Sequence, residues 1–148
     1  MTYDDWIAQV PDNLKKERLW QFEVYPKALL LADFAWEDCG KLMHDARGRA
    51  ISDQLIRSSG SISANIEEGY GRGYGRDYAR FLSIALGSAR ETRGWYYRGR
   101  KLLPAKSLEY RYNLLDEIIA LLVTHINKQR NLAKKKKTNK KSEAKSTK

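Results

Sequence analysis

Apolar residues recur along this chain at steps of three and four, the spacing of one helix face, rather than alternating as in a strand. Ala28, Ala32, Ala35, Cys39 and Leu42 fall on one line, and Ile51, Leu55, Ser58, Ile62, Asn65 and Ile66 on a second. Tyr78, Phe81, Ala85, Ser88, Thr92, Tyr96, Gly99 and Leu103 form a third line. Leu108, Tyr112, Leu115, Ile119, Leu122 and Ile126 form a fourth. Four amphipathic helices with short connections predict an all-α fold, an antiparallel up-down-up-down four-helix bundle over residues 19–131. Small residues on the third line let a neighbouring helix come close.

The residues between these lines predict where the helices begin and end. Trp20, Phe22 and Val24 alternate as in a strand, while Trp20, Val24 and Leu31 also extend the first line backward; of the two, a helix from about Leu19, bent near Pro26, is favoured. Gly69 is expected to end the second helix in the left-handed conformation that glycine adopts at little cost. The glycines at 69, 71, 73 and 75 mark a turn. Asp77 is placed to cap the third helix, and Pro104 to end it. Residues 1–18, with Trp6, Ile7 and Val10, are expected to pack on the bundle or on a neighbouring subunit.

Charge divides the chain differently. Its net charge is +10 over 148 residues, and residues 132–148, "LAKKKKTNKKSEAKSTK", carry +7 of it. This stretch has one leucine and no aromatic residue, too little apolar surface to offset the entropy of ordering it. A disordered Lys-rich tail is expected there, with Lys134, Lys135, Lys136 and Lys137 as its densest block. It serves either solubility or the binding of a polyanion. One cysteine excludes an intrachain disulfide and fits a reducing compartment. No apolar run approaches the ~20 residues of a membrane span, and the acidic start lacks a leader-like stretch, so a cytoplasmic protein without a membrane partner is expected.

Catalytic patterns are thin. The glycines of "GYGRGYG" follow a helix and precede no Lys-Ser or Lys-Thr, so they do not make a nucleotide-binding loop. His44 and His125 are the two histidines, and Cys39 lies on an apolar line. No Glu-x-x-His pair or nucleophile–base signature is present. The expected catalytic set is empty, as are the metal and cofactor sets. Asn65, Glu67, Glu68 and Gly69 are read as a polar lock between the second and third helices, with Arg72, Arg76 and Arg80 as the nearest cations for the two glutamates.

Residues 54–91 carry a resemblance. Gln54, Arg57, the Ser-Ile-x-x-Asn-Ile-x-Glu-Gly run of 61–69, Gly71-Arg72, Arg80-Phe81-Leu82 and Ala85-x-Gly87-Ser88-x-x-Glu91 form a specific pattern. It resembles the bacterial four-helix-bundle proteins that include those encoded by intervening sequences in 23S rRNA genes and the accessory variability determinant, Avd, of diversity-generating retroelements. The resemblance implies a bundle held in part by Asn65, Glu68, Gly69 and Glu91. It also implies a non-enzymatic homo-oligomer, with pentameric barrels known in the family. Nucleic acid is the implied ligand, and a reverse transcriptase the implied protein partner.

Candidate ligand contacts come from the third helix. At 100° per residue, Arg76, Arg80, Arg90, Arg98 and Lys101 lie within ~40° of one line, together with Ser83, Gly87 and Gly94. A cationic face with small gaps suits a phosphate backbone. "WYYRGRK", residues 95–101, mixes aromatics with cations as single-strand binders do. The leading expectation is RNA or DNA binding with little sequence preference, by this face and the lysine tail. The rival expectation is an adaptor that docks another protein.

Overall fold

In the computed structural model, which describes residues 1–73 and 75–147, the four apolar lines close on one another. The described residues form six α-helices: α1 (Tyr3–Ile7), α2 (Asp12–Lys15), α3 (Val24–Leu42), α4 (Ala46–Tyr70), α5 (Arg76–Gly99) and α6 (Ala105–Ser146). Short 3-10 turns cover Arg18–Gln21 and Arg100–Leu102, and no strand occurs among the described residues. The all-α class therefore holds, with six helices where four were expected. α3 packs on α4 and α6, α4 on α5, and α5 on α6.

The lines become the core. Ala28, Ala35, Leu42, Leu55, Ile62, Ile66, Ala85, Tyr96, Leu115 and Leu122 are fully buried. The α4–α5 contact is lined by small hydroxyls. Ser61 and Ser88 share a 2.9 Å hydrogen bond across it, and Thr92 Oγ1 donates to Ser58 Oγ at 3.0 Å. Asn65 joins this seam from its own helix, donating to the Ser61 carbonyl and hydroxyl at 2.8 and 2.9 Å. The bonds that cross between α4 and α5 are thus made by Ser58, Ser61, Ser88 and Thr92, and Asn65 orients one of them, Ser61. Tyr25, on α3, donates its phenol to Glu67 at 2.7 Å. Burial and then the Glu67 carboxylate push that phenol's pKa up.

Several expected boundaries are corrected. α3 starts at Val24, after a 3-10 turn, and not at Leu19. Pro26 then sits in the first turn, where its missing N–H breaks no intrahelical bond, so no bend is required. α4 continues through Gly69 to Tyr70, and among the described residues the positive-φ positions are Gly73 (φ 83°) and Gly75 (φ 88°). Gly69 is small for another reason: a Cβ there would stand 2.8 Å from Phe81 Cβ. Gly75, and not Asp77, is the residue before α5, and Asp77 lies in its first turn, where it accepts from Arg80 at 3.3 Å.

The Lys-rich stretch is the largest correction. α6 runs 42 residues without a break, through the tail to Ser146. Its packed half supplies the nucleus, and lysine and alanine then extend a helix at little cost. At the other end of the chain, Trp6 is buried and its Nε1 donates to Asp33 of α3 at 2.7 Å. Trp20 stacks on it at 6.1 Å.

Candidate nucleic-acid interface

α5 leaves the glycine turn beside the α6 segment that enters the tail. Gln129 fixes this junction by accepting from the Gly75 N–H at 3.1 Å. Just beyond it, Arg76, Ala79, Arg80 and Ser83 of α5 face Arg130, Ala133, Lys134 and Lys137 of α6 across a groove of about 470 Å³. Ala79, Ser83 and Ala133 are small and leave the space between the cations open. Five cationic side chains reach the walls, and the positive end of the α5 dipole adds to them. Arg80 alone of the five has an acidic partner among the described residues, the exposed Asp77 at 3.3 Å. Arg130 lies 3.5 Å from the Ser83 hydroxyl.

The candidate residues separate into groups. Arg76, Arg80, Lys134 and Lys137 share the groove. Lys136 flanks Arg76 on the outer side, with Gly75, Leu132 and Ala133. Lys135 projects elsewhere, beside Lys128 and Asn131. Arg90 is exposed on the same helix. Arg98 is about 27 Å further along α5 than Arg80, at 1.5 Å per residue. It lies over Trp95, 4.6 Å from the ring centroid. Lys101 is exposed in the 3-10 turn beyond α5. The single basic face is therefore a concentrated groove at one end and separate cations toward the other.

Arg130 was not among the expected residues. Its signal was present: it precedes Lys134 and Lys137 by four and seven positions, one helix face. That signal is lost once the tail is read as starting at 132. The motif acids have local partners. Glu68 pairs with Arg72 at 2.8 Å, which leaves Arg80 to Asp77. Glu91 accepts from Trp95 Nε1 at 3.1 Å, and Arg93 pairs with Asp116 of α6 at 3.2 Å.

Other chemistry does not assemble among the described residues. No group of three His, Cys, Asp or Glu side chains is placed to hold a metal ion. Cys39 is buried, its thiol 3.5 Å from the Ser52 carbonyl, and burial pushes its pKa up. No described helix is long and apolar enough to cross a membrane.

A family model described as "23S rRNA-intervening sequence protein" matches residues 21–124, well over half of the chain. The chain belongs to this family. The match to the 23S rRNA-intervening sequence proteins spans α3, α4, α5 and the packed part of α6, and stops before the groove lysines. Among solved structures, a Bacteroides thetaiotaomicron protein of unknown function from the S23 ribosomal protein family superposes with a TM-score of 0.63. It is 30% identical, and the similarity covers 70% of this chain and 97% of that one. No curated protein matches.

Proposed function

We propose that this member of the 23S rRNA-intervening sequence family is a non-enzymatic nucleic-acid-binding accessory protein, with ribosomal RNA as its first candidate ligand. The observation that carries the reading is the groove, where five cations from α5 and α6 stand against a single acid. Phosphates recruit such a surface by charge and counterion release, with little regard to sequence. The family description, and the assignment of the Bacteroides structure to a ribosomal protein family, favour RNA. The four long helices act as an antiparallel up-down-up-down bundle. The molecule works as a homo-oligomer, a pentamer on the family resemblance, so that the groove is repeated and weak contacts add by avidity.

A second observation favours a protein contact elsewhere. Trp36 of α3 is 75% exposed, in a cleft with Met1, Leu14 and Leu29 rimmed by Asp33 and Glu37. We read this as the contact between subunits; the adaptor reading would assign it to a different protein, such as a reverse transcriptase.

Fluorescence anisotropy of labelled RNA against salt tests the groove. Arg76→Gln, Arg130→Gln and Lys134→Gln together should lower the slope of log K against log salt by about 3, roughly one per phosphate contact. A triple variant that binds like wild type, while removal of residues 138–148 abolishes binding, would assign the effect to the distal lysines and defeat the groove reading.

A further inference from the structure

The aromatics of "WYYRGRK" go to different places. Tyr96 is fully buried and donates to Asp38 at 2.8 Å. Trp95 is half-buried and covered by Arg98. Tyr97 points outward, 57% exposed, and the Arg100 guanidinium lies 4.0 Å from its ring centroid. The first turns of α6 stand opposite. Glu109, Tyr112 and Asn113 join Tyr97 and Arg100 around a depression of about 390 Å³. The Tyr112 hydroxyl is buried with no hydrogen-bond partner, alone in this among the described side chains.

We propose that this depression is a subsite for an unpaired nucleobase, at the opposite end of the α5–α6 seam from the phosphate groove. The inference rests on the nucleic-acid reading and adds single-strand selectivity to it. A base offers a flat face to stack on the Tyr97–Arg100 pair, and stacking accepts any base. It also carries edge donors and acceptors. The Asn113 amide can meet these, and so can the Tyr112 hydroxyl once the ring adjusts to expose it. A buried hydroxyl without a partner is costly, which gives the site a reason to accept a polar edge.

The spacing suits one strand. Tyr97 lies 21 positions after Arg76, about 31 Å along α5 at 1.5 Å per residue. That is about nine nucleotides at the 3.4 Å rise of a stacked strand. Arg90 is exposed between the two ends. A strand held by its phosphates in the groove can thus place a base on Tyr97. A duplex cannot, because its bases are paired and stacked inside.

Full-length wild type, Tyr97→Ala and Tyr97→Phe should be titrated against three probes. These are a labelled single-stranded RNA of about twelve nucleotides, the corresponding RNA duplex, and inorganic polyphosphate as a competitor without bases. Tyr97→Ala should weaken single-strand binding by about tenfold, within the roughly 5- to 150-fold range of one lost base stack. Tyr97→Phe should retain it, and duplex and polyphosphate should bind both variants like wild type. Unchanged single-strand binding by Tyr97→Ala overturns the subsite while leaving the groove reading intact. Equal weakening for all three probes also overturns it, because the tyrosine would then be supporting the fold. If wild type binds none of the probes, the nucleic-acid reading falls and the subsite falls with it.

Discussion

The two ends of α6 treat positive charge in opposite ways. Arg111, near its start, is 8% exposed and gives two hydrogen bonds to Asp38, at 2.9 and 3.3 Å. The Phe34 ring covers its guanidinium at 3.8 Å, and the Tyr96 hydroxyl donates to the same carboxylate. Some five turns later Arg130, Lys134 and Lys137 line an open groove whose lining holds no acidic side chain. A buried cation must be neutralised locally, because the interior does not screen it. An exposed cation is screened by water and salt, so it can be left uncompensated and available to a ligand. The difference separates charge that specifies the fold from charge that is free to recruit.

Asp38, the carboxylate that neutralises Arg111, is 1% exposed. Asp38→Ala strands Arg111 in the core and leaves the Tyr96 hydroxyl unpaired. Removing one partner of such a pair costs about 3–5 kcal/mol, readable in urea unfolding. The double variant Asp38→Leu with Arg111→Met should recover most of the loss, since no buried charge remains. A cost for Asp38→Ala near that of an ordinary surface substitution would show that the pair is not as isolated from water as its burial indicates.

Gly69 and Gly87 divide in the same way, one against the core and one on the cationic face. Gly69 of α4 faces the core contact with α5, where an added Cβ would meet Phe81 Cβ at 2.8 Å and the Tyr78 ring at 3.1 Å. Gly87 of α5 faces the cationic line, with nothing within 4 Å of a Cβ. Gly69→Ala should therefore destabilise by about 1–3 kcal/mol through overpacking. Gly87→Ala should stabilise by about 0.5–1 kcal/mol, the ordinary gain in a helix interior. Thermal unfolding of the two variants should shift in opposite directions. A Gly87→Ala variant that melts lower than wild type would mean that the cationic face is covered in the working molecule.

What the sequence disclosed follows the same division. The all-α class and the core were legible, though not the two short N-terminal helices, because aliphatic residues at three- and four-residue spacing bury for one dominant reason. Leu55, Ile62, Ile66, Leu115 and Leu122 all lie where that pattern placed them. Asp38 and Arg111 were missed because charged residues are ordinarily read as solvated. Yet Arg111, Leu115, Ile118 and Leu122 share a helix line, so a cation on the core face was there to be noticed. Arg76 and Arg80 were visible as cations on one helix, but their meeting with Arg130, Lys134 and Lys137 depends on how α5 packs on α6. Composition read the tail as disordered because it weighed that stretch alone. The helix it continues was set by residues 108–126. At Gly69 the sequence shows a glycine's conformational freedom but not the Phe81 neighbour that makes its small size necessary.

The smallest effect tests the boundary between the two ends. His125 lies on α6 between Arg111 and Arg130, half-buried, with its ring 4.3 Å from that of Phe22. Burial and then nearby Lys128 hold its pKa below the usual histidine value of 6.5, while Glu23 opposes the shift. The folded state thus disfavours the imidazolium, and the unfolded chain binds the proton more readily. Stability should be fullest above pH 6.5 and fall as the pH drops through that value. It should level off once the pH passes below the folded-state pKa, where both states are protonated. Melting temperatures at pH 7.5 and 5.5 should show a fall for wild type that His125→Gln reduces, since glutamine keeps a polar side chain without a titrating group. An identical fall in the variant would place the acid sensitivity in other groups. It would also put His125 on the solvated side of the line that separates the paired end of α6 from its cationic end.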